Sequence, residues 1–244
     1  MKNVLSIFKR EVTSYFTQPT AYAVIVIYLL LVMLLTFTWG GFFERDDASL
    51  IESFFVYNPW LFCLFVPAVG MRLWSDEQRN GTIELLGTLP LSTWSAIFGK
   101  FAAAGFVWLL ALVGTLPIWV SINLLGSPDN LTVFSGYLGS YLVCLSFLAI
   151  TMLVSAFTRD QVVCLIVSIA ICFTMVIIGF DNVTIKLSQV IRGDLLEAIV
   201  AAGVWDHFNS LIRGSFRLQD FVWFATVIFC SLLGTSAVLS SRRS

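Results

Sequence analysis

The chain has 244 residues, 58% of them hydrophobic and 12% charged, with a net charge of −1, and its mean hydropathy is +0.90. Soluble domains carry about 25% charged residues, so too few polar side chains are present to cover a water-exposed surface. Composition therefore points to an all-α polytopic membrane protein, and the near-neutral charge gives no basic face for nucleic acid.

Residues 2–17 place Val4, Phe8, Val12 and Tyr15 or Phe16 at helical spacing, with Lys2, Lys9, Arg10 and Glu11 opposite. Such a pattern predicts an interfacial helix over 1–18, lying among headgroups with its basic residues near anionic lipid. The basic start followed by an apolar run looks superficially like a signal peptide. However, the run Thr20–Phe43 exceeds an h-region of about 7–15 residues, and no small-residue cleavage pattern follows. It is expected to stay as a membrane anchor.

Crossing the bilayer takes roughly 20 helical residues. Six uncharged runs reach or approach that length: Thr20–Phe43, Ser53–Met71, Phe101–Pro128, Asn130–Thr158, Gln161–Phe180 and Phe221–Ser241. The third and fourth are separated only by Gly126-Ser127-Pro128-Asp129-Asn130, a turn-forming sequence. The whole chain thus reads as one six-span domain with a polar segment over 72–100 and an outer loop over 181–220.

Lysine and arginine set the expected orientation. With the N-terminus inside, nine lie inside (Lys2, Lys9, Arg10, Arg72, Arg79, Lys100, Arg159, Arg242, Arg243) and five outside (Arg45, Lys186, Arg192, Arg213, Arg217). Ten of the acidic residues fall outside and five inside. Both counts place the two ends in the cytoplasm.

Chemistry is scarce. No G-x-x-x-x-G-K-[ST] phosphate loop occurs, because Gly99-Lys100 is followed by Phe101 and lacks the earlier glycine. A single histidine, His207, excludes two-histidine metal sites, and no G-x-S-x-G is present. No catalytic, cofactor or metal residues are assigned, which sets an intramembrane enzyme aside. Cys63, Cys144, Cys164, Cys172 and Cys230 lie in apolar runs without C-x-x-C spacing and read as packing residues. Glu44, Asp46, Asp47 and Glu52 could hold a cation, but a short acidic loop far from other ligands reads rather as a solvated face. His207 beside Asp206 has no second carboxylate at helical spacing and reads as a packing or capping residue. None of the six runs holds a charge, which argues against an ion-coupled pump. Their scattered serines and threonines suit an amphipathic substrate better than a charged one.

The inner segment is different. Ser75-x-x-Gln78 has capping-box spacing, Gly81 can end that helix, and Thr82 can cap a second turn containing Ile83, Glu84 and Leu85. The outer loop is expected to carry two short amphipathic helices, the second around Val204–Leu211.

The run Val66–Lys100, VPAVGMRLWSDEQRNGTIELLGTLPLSTWSAIFGK, resembles the signature of type-2 ABC transporter permeases, and is most similar to the gliding-motility-type permease subunit. Pro67, Met71, Arg72, Glu77, Gly81, Thr82, Glu84, Leu86, Pro90, Gly99 and Lys100 match the pattern, with Asp76 where glutamate is usual. A second stretch, HFNSLIRGSFRLQDFVWF, resembles the family's entry to the last span through His207, Phe208, Arg213, Gly214, Asp220, Trp223 and Phe224. Phe216 and Arg217 depart from it.

The resemblance implies a permease subunit of the bacterial inner membrane, paired with a second copy or another membrane subunit. ATP and Mg would sit on separate ABC ATPase subunits. Asp76, Glu77, Arg79, Gly81, Thr82, Ile83, Glu84 and Leu85 would form the coupling helix, with Arg159 and Asp160 as a smaller second contact. The outer helices would cap the exit. A membrane anchor or mechanotransmitting subunit, acting on envelope partners without moving a solute, would need the same coupling helix.

Overall fold

The computed structural model describes residues 2–42, 50–82, 92–180, 183–184 and 200–241, and every regular element among them is helical. Six stretches are long and apolar enough to cross a membrane.

Helix α1 (Lys2–Thr17) ends at Gln18, whose extended backbone and the following Pro19 start α2 (Pro19–Leu34) in a new direction. α2 runs on into a π-helical turn, Leu35–Trp39. There Thr36 returns its hydroxyl to the Val32 carbonyl at 2.7 Å and Thr38 bonds back to Leu34. Such back-bonding competes with the regular ladder and accompanies the change of pitch.

The second span begins with a 3₁₀ turn at Phe55–Tyr57, continues as α3 (Asn58–Gly70) and passes with a single interruption at Met71 into α4 (Arg72–Arg79). The third begins earlier than its uncharged run suggests. Ser92 caps α5 (Thr93–Val113), accepting from the Ser95 amide at 3.2 Å, and Lys100 lies within it. After Gly114-Thr115 it resumes as α6 (Leu116–Leu125), since Pro117 has no N–H to continue the ladder. Asp129 caps α7 (Asn130–Phe157) and Asp160 caps α8 (Gln161–Ile178). At exposed Asp129 the Thr132 hydroxyl, and then the Leu131 amide, hold the carboxyl below its ordinary value. Beyond α8 follow α9 (Val204–Ile212) and the last span, α10 (Leu218–Ser241).

α7 is the central helix and packs on α3, α4, α5, α8, α9 and α10. Small residues let neighbours approach it, as expected where apolar lipid supplies no hydrophobic drive between helices. A Cβ on Gly136 would stand 2.5 Å from the Phe55 ring. The buried Asn58 amide donates across to Ser140 Oγ at 3.0 Å. By contrast, α2, α8 and α10 leave broad apolar faces such as Leu30, Ile166 and Phe229 exposed, the surface a bilayer would cover.

Two expectations change. α1 is not merely laid on an interface: it packs along α5, with Ile7 buried and Phe8 edge-on to Phe106 at 5.9 Å. Glu11, placed on the outward face by its charge, is instead on the packing face, one turn beyond Ile7. And the spans are not free of charge: Lys100 lies two turns into α5 and Asp220 in the first turn of α10, both buried.

Candidate functional site

At the end of the bundle where α3 gives way to α4, the first turn of α4 is anchored by its own backbone rather than by a cap. Ser75 lies inside the helix and its hydroxyl bonds back to the Met71 carbonyl, so the expected capping box is not formed. Gln78 is turned the other way. Its Nε2 donates to the Ser155 carbonyl at 3.2 Å and the Ala156 carbonyl at 2.6 Å. These belong to the last turn of α7, where carbonyls lack intrahelical donors. One side chain of α4 therefore caps the central helix.

Beside it, Asp76 Oδ1 accepts a hydrogen bond from Gln161 Nε2 at the start of α8. The carboxylate lies where a helix N-terminus favours negative charge. The Asp76–Gln161 bond joins α4, within the expected coupling segment, to the 158–161 turn expected as the smaller second contact.

Glu77 holds the third span. Its Oε1 is 2.9 Å from Lys100 Nζ, and the same ammonium donates to the Leu73 carbonyl at 2.8 Å and lies 3.7 Å from Glu11 Oε1. It also sits 5.0 Å from the centre of the Trp74 ring, a cation–π geometry. Only 5% of the Lys100 side chain is exposed, so this charge survives by being paired on several sides. α1, α4 and α5 meet at that one ammonium. The fit of α1 depends on the neighbouring glycine, for a Cβ on Gly99 would lie 2.7 Å from Ile7 Cγ2.

Asp76 and Glu77 thus also act as ties within the bundle, to Gln161 and to Lys100. Exposed at this end are Arg79, Gly81, Thr82, Arg159 and Asp160. Gly81 has φ +68 with open space around it, so the chain leaves α4 through a left-handed turn that glycine adopts without steric cost. Thr82 donates its hydroxyl back to the Glu77 carbonyl at 3.4 Å. Ile83, Glu84 and Leu85, with the turn Thr82 was expected to cap, lie outside the described residues.

At the opposite end, His207 and Asp220 meet. His207 Nδ1 is 2.7 Å from Asp220 Oδ1, its Nε2 is 3.3 Å from the Ala201 carbonyl, and its ring stacks on Trp223 at 4.7 Å. Asp206 is exposed and takes no part. The carboxylate partner absent at helical spacing is supplied by the start of α10, thirteen residues on. Phe208 is fully buried beside Gly139 of α7, and Ser135 Oγ donates to the Leu211 carbonyl at 2.5 Å. Arg213 is exposed, and Gly214 takes φ +75 in the turn leading toward α10. α9 is thereby tied across α7 and α10. The expected first outer helix and the Glu44–Asp47 acids fall almost wholly outside the described residues.

No group of three or more histidine, cysteine, aspartate or glutamate residues suited to a metal ion occurs among the described residues. The cysteines are unpaired thiols, four buried and Cys230 exposed.

No curated protein matches the chain. Residues 5–196 match the family model described as ABC-2 family transporter protein, well over half of the sequence and inclusive of the whole α4 surface, while α9 and α10 lie beyond the match. The chain belongs to the ABC-2 transporter family, as a multi-pass membrane component of an ABC transporter.

Proposed function

We propose that this chain is the permease subunit of an exporter-like ABC transporter, receiving ATP-driven movement from a separate ATPase at the α4 surface. In this reading both ends face the cytoplasm of a bacterial inner membrane. Two ATPase subunits dock beneath a pair of permeases, the second being another copy or a related subunit of the gliding-motility type. ATP and Mg stay on the ATPase.

The observation that carries the proposal is the way α4 is held. Its three consecutive side chains Asp76, Glu77 and Gln78 reach α8, α5 and α7 respectively. A push on the Gly81–Thr82 turn is therefore delivered to three spans at once, with no flexible linker on the described side of the turn to absorb it. Arg79, Arg159 and Asp160 offer exposed charges around that turn for a soluble partner.

The mechanotransmitting alternative has support of its own. α7, which receives α4 at one end, holds α9 at the other through Ser135 and Gly139, so the same stroke has a rigid route to the outer surface.

Glu84→Ala and Gly81→Pro test the coupling. Proline fixes φ near −65° and cannot adopt the value of +68 at Gly81. The reconstituted complex is expected to keep its assembly but lose substrate-stimulated ATP hydrolysis in both variants. Unchanged stimulation in both would remove the coupling role from this segment.

A further inference from the structure

His207 is the only histidine in the chain, and α9 holds it between two oxygen atoms. Nδ1 lies 2.7 Å from Asp220 Oδ1, and Nε2 lies 3.3 Å from the Ala201 carbonyl oxygen. Only 6% of the His207 side chain and 5% of that of Asp220 are exposed. The pair is thus largely shut off from bulk water. It joins three pieces of chain: the segment leading into α9, α9 itself and the first turn of α10.

Proton count decides whether both contacts are bonds. A neutral imidazole has one N–H and one lone pair, whereas a carbonyl oxygen and an ionised carboxylate only accept. With His207 neutral and Asp220 ionised, a ring lone pair therefore faces an oxygen lone pair, at Asp220 or at Ala201 according to the tautomer. One further proton removes the conflict. Drawn as imidazolium with carboxylate, or as neutral imidazole with carboxylic acid, the pair then makes both bonds and has no net charge. The two drawings hold the same number of protons, so that proton belongs to the pair.

The surroundings favour the proton. Asp220 Oδ2 is buried and accepts no hydrogen bond, so without the proton the site holds an uncompensated buried anion. The Trp223 ring stacks on the imidazole at 4.7 Å, and a ring face attracts a cation. α9 packs on α7, α8 and α10, and α10 also on α5. α7 and α8 contain no charged side chain. The Tyr137 and Tyr141 phenols of α7 bond to Thr115 and Gly105, and the thiols of these two helices are Cys144, Cys164 and Cys172. Lys100 of α5 is engaged at the other end of the bundle. Asp206, Arg213, Arg217 and Asp129 stand exposed around α9, and among the described residues the ion pair of Asp220 is with His207.

We propose that His207 and Asp220 form a proton-binding site, and that the bound proton clasps α9 to the first turn of α10. The proton enters from water at this end of the bundle and returns to it. A contact that needs a bound proton is strongest at low pH and is lost as pH rises. α9 keeps its hold on α7 through Ser135 and Gly139, so release of the proton frees the start of α10 and leaves α9 seated. In the orientation proposed above the site faces outward, and acidity outside closes this end. Only that sidedness rests on the proposed function.

The full chain alone suffices for the test, without an ATPase and whichever way the protein faces. Purified without a histidine tag and labelled with ¹⁵N-histidine, it gives ring signals from His207 only. It is titrated from about pH 5 to 9, on both sides of an ordinary histidine. The Nδ1 signal is expected to shift in one step as pH rises. Hydrogen exchange over residues 204–224, corrected for its intrinsic pH dependence, should quicken about tenfold at the same midpoint, as one charge-assisted hydrogen bond is lost. In Asp220→Asn the new amide donates to Nδ1 while Nε2–H donates to Ala201, a clasp that needs no extra proton. Exchange in that variant is expected to stay slow at high pH and to show no step, whereas Asp206→Asn should keep the step. Exchange without a step in the native chain, different midpoints for ring and exchange, or a step that persists in Asp220→Asn would overturn the proposal.

Discussion

Lys100 is the residue on which the α4 end turns. An ammonium this deeply buried is tolerated because Glu77, Glu11, the Leu73 carbonyl and the Trp74 face surround it. Removing one partner of a buried pair strands the other and costs about 3–5 kcal/mol, whereas removing both together can be nearly neutral. Glu77 keeps some solvent contact, which places the expected loss for Glu77→Gln at or below the lower end of that range. The double variant Glu77→Gln with Lys100→Met should be destabilised less than the sum of the singles, with a coupling of about 1–3 kcal/mol. Thermal unfolding of the detergent-purified chain measures the cycle, and additive losses would show that the pair is not an energetic unit.

Sequence reading located Glu77, His207 and Asp220 but not their bonds. Sequence alone gives neither Glu77 its Lys100 nor His207 its Asp220, because the matching charges stand 23 and 13 residues away across helix boundaries. Periodicity within one helix carries no information about such pairs. Gln78 differs from its expected role for a related reason: spacing predicts a local cap, whereas its acceptors lie 77 and 78 residues on.

At the scale of elements, hydrophobic length was enough to find all six spans, because a bilayer demands about 20 apolar residues whatever the packing. Ends were less legible. α5 begins eight residues before the uncharged run, at Thr93 rather than Phe101, since a charge does not end a helix when a neighbouring helix neutralises it. The role of α1 was hidden too. Its basic residues suggested an interface, but the element that decides its seat is the bare backbone at Gly99. Gly99→Leu is expected to lift α1 from α5 and to speed hydrogen exchange over residues 4–15, while α7 keeps its protection. Unaltered exchange in α1 would mean that the contact with Ile7 does not hold it.

For the molecule as a whole, α7 joins two clamps of different kinds. One end binds α4 through main-chain carbonyls at its last turn, and the other binds α9 through Ser135 and the surface at Gly139. The outward apolar faces of α2, α8 and α10 carry little of this internal packing. In the proposed reading, displacement of α4 passes to α5, α7 and α8 together through Glu77, Gln78 and Asp76, and the exposed turn at Gly81–Thr82 is where an applied force would enter. That is the central claim, and its most direct test is to place a photo-crosslinking amino acid at Thr82, a site exposed and uninvolved in the span contacts. In native membranes the account predicts a single prominent adduct with an ATPase subunit carrying a phosphate-binding loop, altered by ATP. Crosslinking only to lipid, to a protein without an ATPase fold, or to reagents confined to the outer side would contradict it.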